Sequence, residues 1–210
     1  AEAYGDLRSD VIQMLLNARD MGAFAAEQPL EAEPGSRWDY SSGTTNIISR
    51  IVRSRFADHD EYLTFPRRAL FEPIGMGSAV IEPDPSGTFV GSSYMYATAR
   101  DWARFGEMLR NDGMVDGRRV LPEGWVEYMT TPAPAAPEAQ YGAQVWLNAG
   151  EGDARMYPSL PRDLVVLSGH DGQNVVVFPS EEIVVVRLGF SPHGNWAEGR
   201  FLDSVRRAFD

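Results

Sequence analysis

Residues 164–178, LVVLSGHDGQNVVVF, running from Leu164 to Phe178, decide how the chain folds. Two apolar runs, Leu164 to Ser168 and Asn174 to Phe178, flank a short polar segment. Unbroken valine-rich runs of this length, with no polar alternation, read as strands buried on both faces. Between them Asp171-Gly172 is a favoured tight turn, so the two runs predict an antiparallel hairpin. A third run, Ile183 to Leu188, follows the turn Pro179-Ser180-Glu181-Glu182, and Tyr141 to Leu147 is strand-like ahead of all three.

Beyond the strands, Trp196 to Phe209 predicts a final helix with Phe201, Leu202, Val205 and Phe209 on one side, suited to cover one face of the sheet. Upstream the periodicity is helical. Ser9 to Phe24 reads as one helix, with Val11, Met14, Leu15 and Ala18 at helical spacing. After the turn Pro34-Gly35 a second helix carries Ile47, Ile48, Ile51, Val52 and Phe56 as one apolar stripe. Tyr62 to Leu70, Thr98 to Arg110 and Pro122 to Met129 predict three more, with turn signals at Asn111-Asp112-Gly113 and Asp116-Gly117. Helices first, then an antiparallel sheet, then a closing helix is an α+β pattern. It divides into a mainly helical region, 1–138, and a sheet with its closing helix, 139–210. A sheet of only three or four strands buried on both faces is expected to be incomplete without further strands from upstream sequence.

Composition removes several function classes. The net charge of −11, with no basic stripe, argues against a sequence-independent nucleic-acid binder, which needs clustered cations. No apolar run approaches the roughly 18–20 residues of a membrane span. There is no cysteine, hence no disulfide or thiolate chemistry. There is also no lysine, so all 19 basic residues are arginines. A phosphate-loop lysine, a Schiff base and a Ser-x-x-Lys dyad therefore cannot lie within these residues. Gly91-Ser92-Ser93-Tyr94-Met95 fails the Gly-x-Ser-x-Gly pattern at its last position. His59, His170 and His193 lack metal-ligand spacing, and neither metal nor cofactor is expected.

Two segments can carry chemistry. In Pro34-Gly35-Ser36-Arg37-Trp38-Asp39-Tyr40-Ser41-Ser42-Gly43, a tyrosine and a serine hydroxyl stand two residues apart at a helix start. The plain reading is that Tyr40 packs and Ser42 caps the helix. In Ser168-Gly169-His170-Asp171-Gly172-Gln173 the plain reading is the hairpin turn, and Gly172 also suits a close backbone approach.

In order along the chain, these segments resemble the class C β-lactamase-like serine hydrolases, a group including penicillin-binding proteins, esterases and 6-aminohexanoate-dimer-hydrolase-like amidases. Tyr40-Ser41-Ser42 is similar to the group's Tyr-x-Asn or Tyr-x-Ser motif, and His170-Asp171-Gly172 to its Lys-Thr-Gly or His-x-Gly motif. Leu70-Phe71-Glu72-Pro73-Ile74-Gly75-Met76 and Ala97-Thr98-Ala99-Arg100-Asp101-Trp102 are similar to its connecting phrases. The group's first motif, Ser-x-x-Lys, has no counterpart here.

The resemblance implies a part of one catalytic domain that is inactive alone and is completed by an N-terminal segment carrying Ser-x-x-Lys. It implies attack by that upstream serine on a small-molecule ester or amide, through an acyl-enzyme. Tyr40, Ser42, His170 and Gln173 are then the catalytic residues, and Asp171 and Gly172 contact substrate. Tyr40 would share in moving the serine's proton, Ser42 would hydrogen-bond the upstream lysine or the substrate, and the Gln173 backbone N–H would donate to the oxyanion. A free phenol has a pKa near 10, so only adjacent positive charge would make Tyr40 a phenolate near pH 7. A neutral imidazole in place of the third-motif lysine attracts a substrate carboxylate less, which points to esters or small amides before β-lactams. The alternative is a non-catalytic penicillin-recognition-like domain used for binding or as a scaffold.

Overall fold

The computed structural model describes residues 2–192 and 196–209; His193 lies outside the described residues. The chain divides into two compact units, residues 1–71 with 78–97, and residues 72–77 with 98–210.

In the first unit the expected helix Ser9 to Phe24 is two helices, α1 (Asp10–Asn17) and α2 (Met21–Ala26). Asp20 makes the break. Its carboxylate accepts from the Ala23 backbone N–H at 2.8 Å and so starts a new helix instead of continuing the old one. α3 (Ser42–Arg53) packs close to α2, where a Cβ on Gly22 would stand 2.7 Å from the Arg50 Cβ. α4 (His59–Pro66) begins earlier than the expected Tyr62, because Asp58 caps it through the Glu61 N–H at 2.7 Å. It then widens into a π turn, Arg67–Phe71, immediately after Pro66, whose ring brings no N–H to the ladder. A short antiparallel pair, β1 (Val80–Ile81) and β2 (Met95–Tyr96), completes the unit.

The apolar stripe of α3 does not form its inner face. Ser42 and Asn46 are buried, while Ile48, Ile51 and Val52 are exposed. The inner face is fixed by polar contacts: the Asn46 amide donates to Ser92 Oγ at 3.0 Å and approaches Met14 Sδ at 3.8 Å. One apolar core cluster of this unit is Val11, Met14, Met21 and Val90, and Tyr62, Phe71, Ala79 and Phe89 are buried as well.

The second unit holds α5 (Ala99–Arg110), capped by Thr98, and a two-residue hairpin of β3 (Met114–Val115) and β4 (Arg118–Arg119). Asp116 and Gly117 both have positive φ, 48° and 74°, as a primed hairpin turn requires. A short α6 (Trp125–Thr130) follows. The sheet has the order β5-β6-β7-β8, antiparallel throughout, with β5 (Trp146–Leu147), β6 (Val165–Gly169), β7 (Gln173–Phe178) and β8 (Ile183–Arg187). Of the expected strand Tyr141 to Leu147 only its end pairs continuously. Gln144 turns the chain with φ 66°, and Tyr141 bridges back to Trp146. The closing helix α7 (Glu198–Arg206) is shorter than Trp196 to Phe209.

β7 is buried from Asn174 to Phe178, as its unbroken valines require. On one face Val166, Val176 and Phe178 pack with Leu160, Leu164 and Leu202 of α7. On the other, Val165 and Val177 pack with Val145 and Leu147, and α5 lies against Val175, Val177 and Val184 through Gly106. Each such side chain contributes about 1.5–3 kcal/mol when fully buried. Phe201 and Phe209, expected on the covering side of α7, remain exposed, so Leu202 alone anchors the helix among these three.

One buried amide ties several points of the connection from β5 to β6, which Arg155 and Arg162 also fasten. Asn148, fully buried, donates to the carbonyls of Tyr157 and Pro161 at 3.0 and 2.9 Å and accepts from the Tyr157 N–H at 2.9 Å.

At Gly106 a Cβ would stand 2.6 Å from Val184 Cγ1 and 3.1 Å from Val175 Cγ1, and β-branched side chains have little freedom to withdraw. Gly106→Ala is therefore expected to lower stability by about 1–3 kcal/mol despite the better helix propensity of alanine, as read from the urea midpoint.

Candidate active site

The two sequence motifs lie in different units, and each has its own setting. In the first unit Ser41, not Ser42, is the N-cap of α3: its Oγ accepts from the Thr44 N–H at 3.1 Å. Extended backbone at Ser41 (φ −144°, ψ 116°) makes it the last non-helical residue. Ser42 is thus the first helical residue, and its side chain turns inward at 3% exposure.

Glu2 meets it there. The Ser42 N–H donates to Glu2 Oε1 at 2.6 Å and the Ser42 hydroxyl to Glu2 Oε2 at 2.8 Å. The Tyr4 hydroxyl donates to the same carboxylate and stands 2.9 Å from Ser42 Oγ. Ser42 is consequently held rather than presented. A buried hydroxyl with these contacts is poorly placed to attack a substrate itself.

Burial raises the Tyr40 phenol above its ordinary range, and the Glu2 charge raises it further. Tyr4 is raised more strongly, again by burial first and then by its hydrogen bond to Glu2. Among the groups bearing on Tyr40 here, Glu2 is anionic, the reverse of what a resting phenolate needs.

In the second unit His170, Asp171 and Gly172 form the connection between β6 and β7, so the hairpin reading of these residues holds. Asp171 takes a left-handed conformation at φ 55°, which a short polar side chain tolerates, and Gly172 has φ 90°. The His170 ring is largely exposed, with Nε2 3.4 Å from an Asp171 carboxylate oxygen. Gln173 opens β7 opposite Gly169. Its side-chain amide donates to the Gly189 carbonyl and accepts from the Gly189 N–H at 2.9 Å.

One residue outside the motif holds this turn. Arg187, at the end of β8, donates to the Gly172 carbonyl at 2.5 Å and to Ser191 Oγ at 2.6 Å. Its guanidinium lies 4.1 Å from the centre of the Trp196 ring, within cation–π range. The Ser191 N–H returns to the Asp171 carbonyl at 2.8 Å. A Cβ at Gly172 would stand 2.5 Å from Arg187 Nη1, so the glycine leaves room for the guanidinium as well as for its own positive φ.

A match to the family described as Beta-lactamase covers residues 3–201. The chain belongs to the β-lactamase family. A 6-aminohexanoate-dimer hydrolase from Paenarthrobacter ureafaciens is 30% identical over 148 residues, covering 63% of this chain and 35% of its own length. A solved structure from Bacillus anthracis, assigned as a 6-aminohexanoate-dimer hydrolase, superposes with a TM-score of 0.67 at 25% identity. It covers 88% of this β-lactamase-family chain and 46% of its own. A Mycobacterium bovis β-lactamase shares the fold at a TM-score of 0.65 and 20% identity, over 94% of this chain and 73% of its own. The chain thus spans about a third of the curated relative and about half of the Bacillus structure.

Sequence reading named Tyr40, Ser42, His170, Asp171, Gly172 and Gln173 but missed Glu2, Tyr4 and Arg187. Glu2 and Tyr4 act on Ser42 from some 40 residues away, and nothing local marks them. Arg187 had a faint signal: a lone cation closing an otherwise apolar strand.

If Arg187 fixes the turn, Arg187→Ala removes two hydrogen bonds from a charged donor, each worth about 1.5–3 kcal/mol. Amide hydrogen exchange at Ser191 is expected to quicken at least ~10-fold while Val176, inside the sheet, is unchanged.

Proposed function

We propose that this chain is the C-terminal part of a serine hydrolase that cleaves small-molecule ester or amide bonds through an acyl-enzyme. In this reading the serine nucleophile and its lysine come from an N-terminal segment. The observation that carries the proposal is a family match spanning residues 3–201 with Tyr40-Ser41-Ser42 and His170-Asp171-Gly172 in the family's order. Two structural facts support it. Ser42 is fixed at the start of α3, and the His170 turn opens directly onto the strand that begins with Gln173. The edge position of β8, with every residue only partly covered, supports the addition of strands from the same segment.

The roles follow from chemistry. The incoming lysine cation offsets the burial and the Glu2 charge that keep Tyr40 neutral, and so lets the phenol exchange a proton with the attacking serine. His170, exposed and lacking the permanent cation of a lysine, donates or accepts at the substrate rather than clamping a carboxylate. The Gln173 backbone N–H supplies one oxyanion donor; losing one such donor typically costs ~10²–10³ in rate. Asp171 and Gly172 border the substrate. The 6-aminohexanoate-dimer hydrolase relative supports a small acyl substrate, and esters and amides rank ahead of β-lactams.

The test completes the enzyme with an upstream segment bearing Ser-x-x-Lys and follows a chromogenic ester. Turnover with a burst of acyl-enzyme is expected. Tyr40→Phe in that enzyme should slow acylation at least about 10²-fold, the usual scale of general acid–base catalysis. A near-normal burst from Tyr40→Phe removes Tyr40 from the mechanism. Tight ligand binding with no turnover makes the chain a recognition domain instead.

A further inference from the structure

Three donors from two separate stretches converge on a single carboxylate: the Ser42 N–H, the Ser42 hydroxyl and the Tyr4 hydroxyl all reach Glu2. Helix starts leave backbone N–H groups without intrahelical partners, and a local residue usually meets one of them. In α3 the local cap, Ser41, takes the Thr44 N–H, while the Ser42 N–H is taken by a residue 40 positions away. A packing role alone would be met by any side chain of the right volume. Here both carboxylate oxygens are engaged, each by a different donor on the same serine. Charge-assisted bonds of this kind are about twice as strong as neutral ones. A carboxylate at the start of a 12-residue helix is further favoured by the helix dipole.

We propose that Glu2 is a positioning residue of the Tyr40-Ser41-Ser42 motif, pinning Ser42 at the first turn of α3 and setting a negative charge beside the Tyr40 phenol. Pinning fixes the direction in which the motif leaves the helix, and with it the tyrosine two residues earlier. Added to burial, the charge further disfavours the phenolate of Tyr40 and so keeps it a proton donor at rest. The direction of the Tyr40 proton equilibrium, raised by burial and then by the Glu2 charge, agrees with that arrangement. The catalytic meaning of the pin rests on the hydrolase reading of Tyr40; the pin itself does not.

The experiment uses the whole 210-residue chain. Tyrosine ring carbons are labelled, the Tyr40 signal is assigned by its loss in Tyr40→Phe, and its ionisation is followed by NMR against pH. Glu2→Gln keeps the shape and one acceptor but removes the charge, and is expected to move the Tyr40 midpoint down toward that of free tyrosine. Glu2→Ala removes the acceptor as well, and the Ser42 amide is expected to exchange at least ~10-fold faster while the Ile51 amide, at the far end of α3, is unchanged. An unmoved Tyr40 midpoint in Glu2→Gln overturns the proposal, as does unchanged Ser42 exchange in Glu2→Ala. If Glu2→Ala fails to fold, the near-isosteric Glu2→Gln titration decides the matter alone. Neither readout involves turnover. Failure of the completed enzyme to hydrolyse esters would sink the hydrolase reading and leave this one standing, and the reverse also holds.

Discussion

The second unit is organised by the need to cover β7 on both faces. Five consecutive residues, Asn174 to Phe178, have no exposed side, so a layer must lie above and another below. α5 supplies one through a glycine that lets the helix backbone approach the valines, and α7 supplies the other through Leu202. Interiors at crystal-like density leave such layers little freedom to slide. The start of β7 is thereby fixed, and with it the His170-Asp171-Gly172 turn that feeds it. Arg187 extends that rigidity into the turn itself, bonding a carbonyl of the connection from the neighbouring strand.

The two motif settings differ in electrostatic character. Around the His170 turn the fixed charge is of both signs, the Asp171 carboxylate and the Arg187 guanidinium, the latter directed at backbone carbonyl and ring. Around Tyr40 and Ser42 it is an anion, Glu2. A chain with no lysine cannot supply the compact ammonium that would offset the Glu2 charge at Tyr40. Within the proposed mechanism, the proton chemistry of the tyrosine therefore waits on a group from elsewhere.

What the sequence displayed well were features with a local cause. The valine runs of residues 164–178 yielded β6 and β7, and Asp116-Gly117 yielded a hairpin with the required positive φ values. The order of the two motifs led to the β-lactamase family, which the match over residues 3–201 bears out. What it hid were features decided at long range or by competing local bonds. Asp20 splits a periodic stretch into two helices because its side chain offers the backbone a second starting point. The stripe Ile48, Ile51 and Val52 has the right spacing for a core face, yet the inner side of α3 went to Ser42 and Asn46, whose partners are far away in sequence. Glu2 and Arg187 escaped for the same reason: each acts on a motif with which it shares no local pattern.

Asn148 shows what concentrating several bonds in one side chain does to a loop. The amide is the common knot for carbonyls and N–H groups of the long excursion between β5 and β6. Arg155 and Arg162 fasten further carbonyls of the same excursion, so Asn148 is the buried fastening among several. Replacement of Asn148 should accordingly loosen this excursion around Tyr157 and Pro161, and proteolytic nicking there should report the loss.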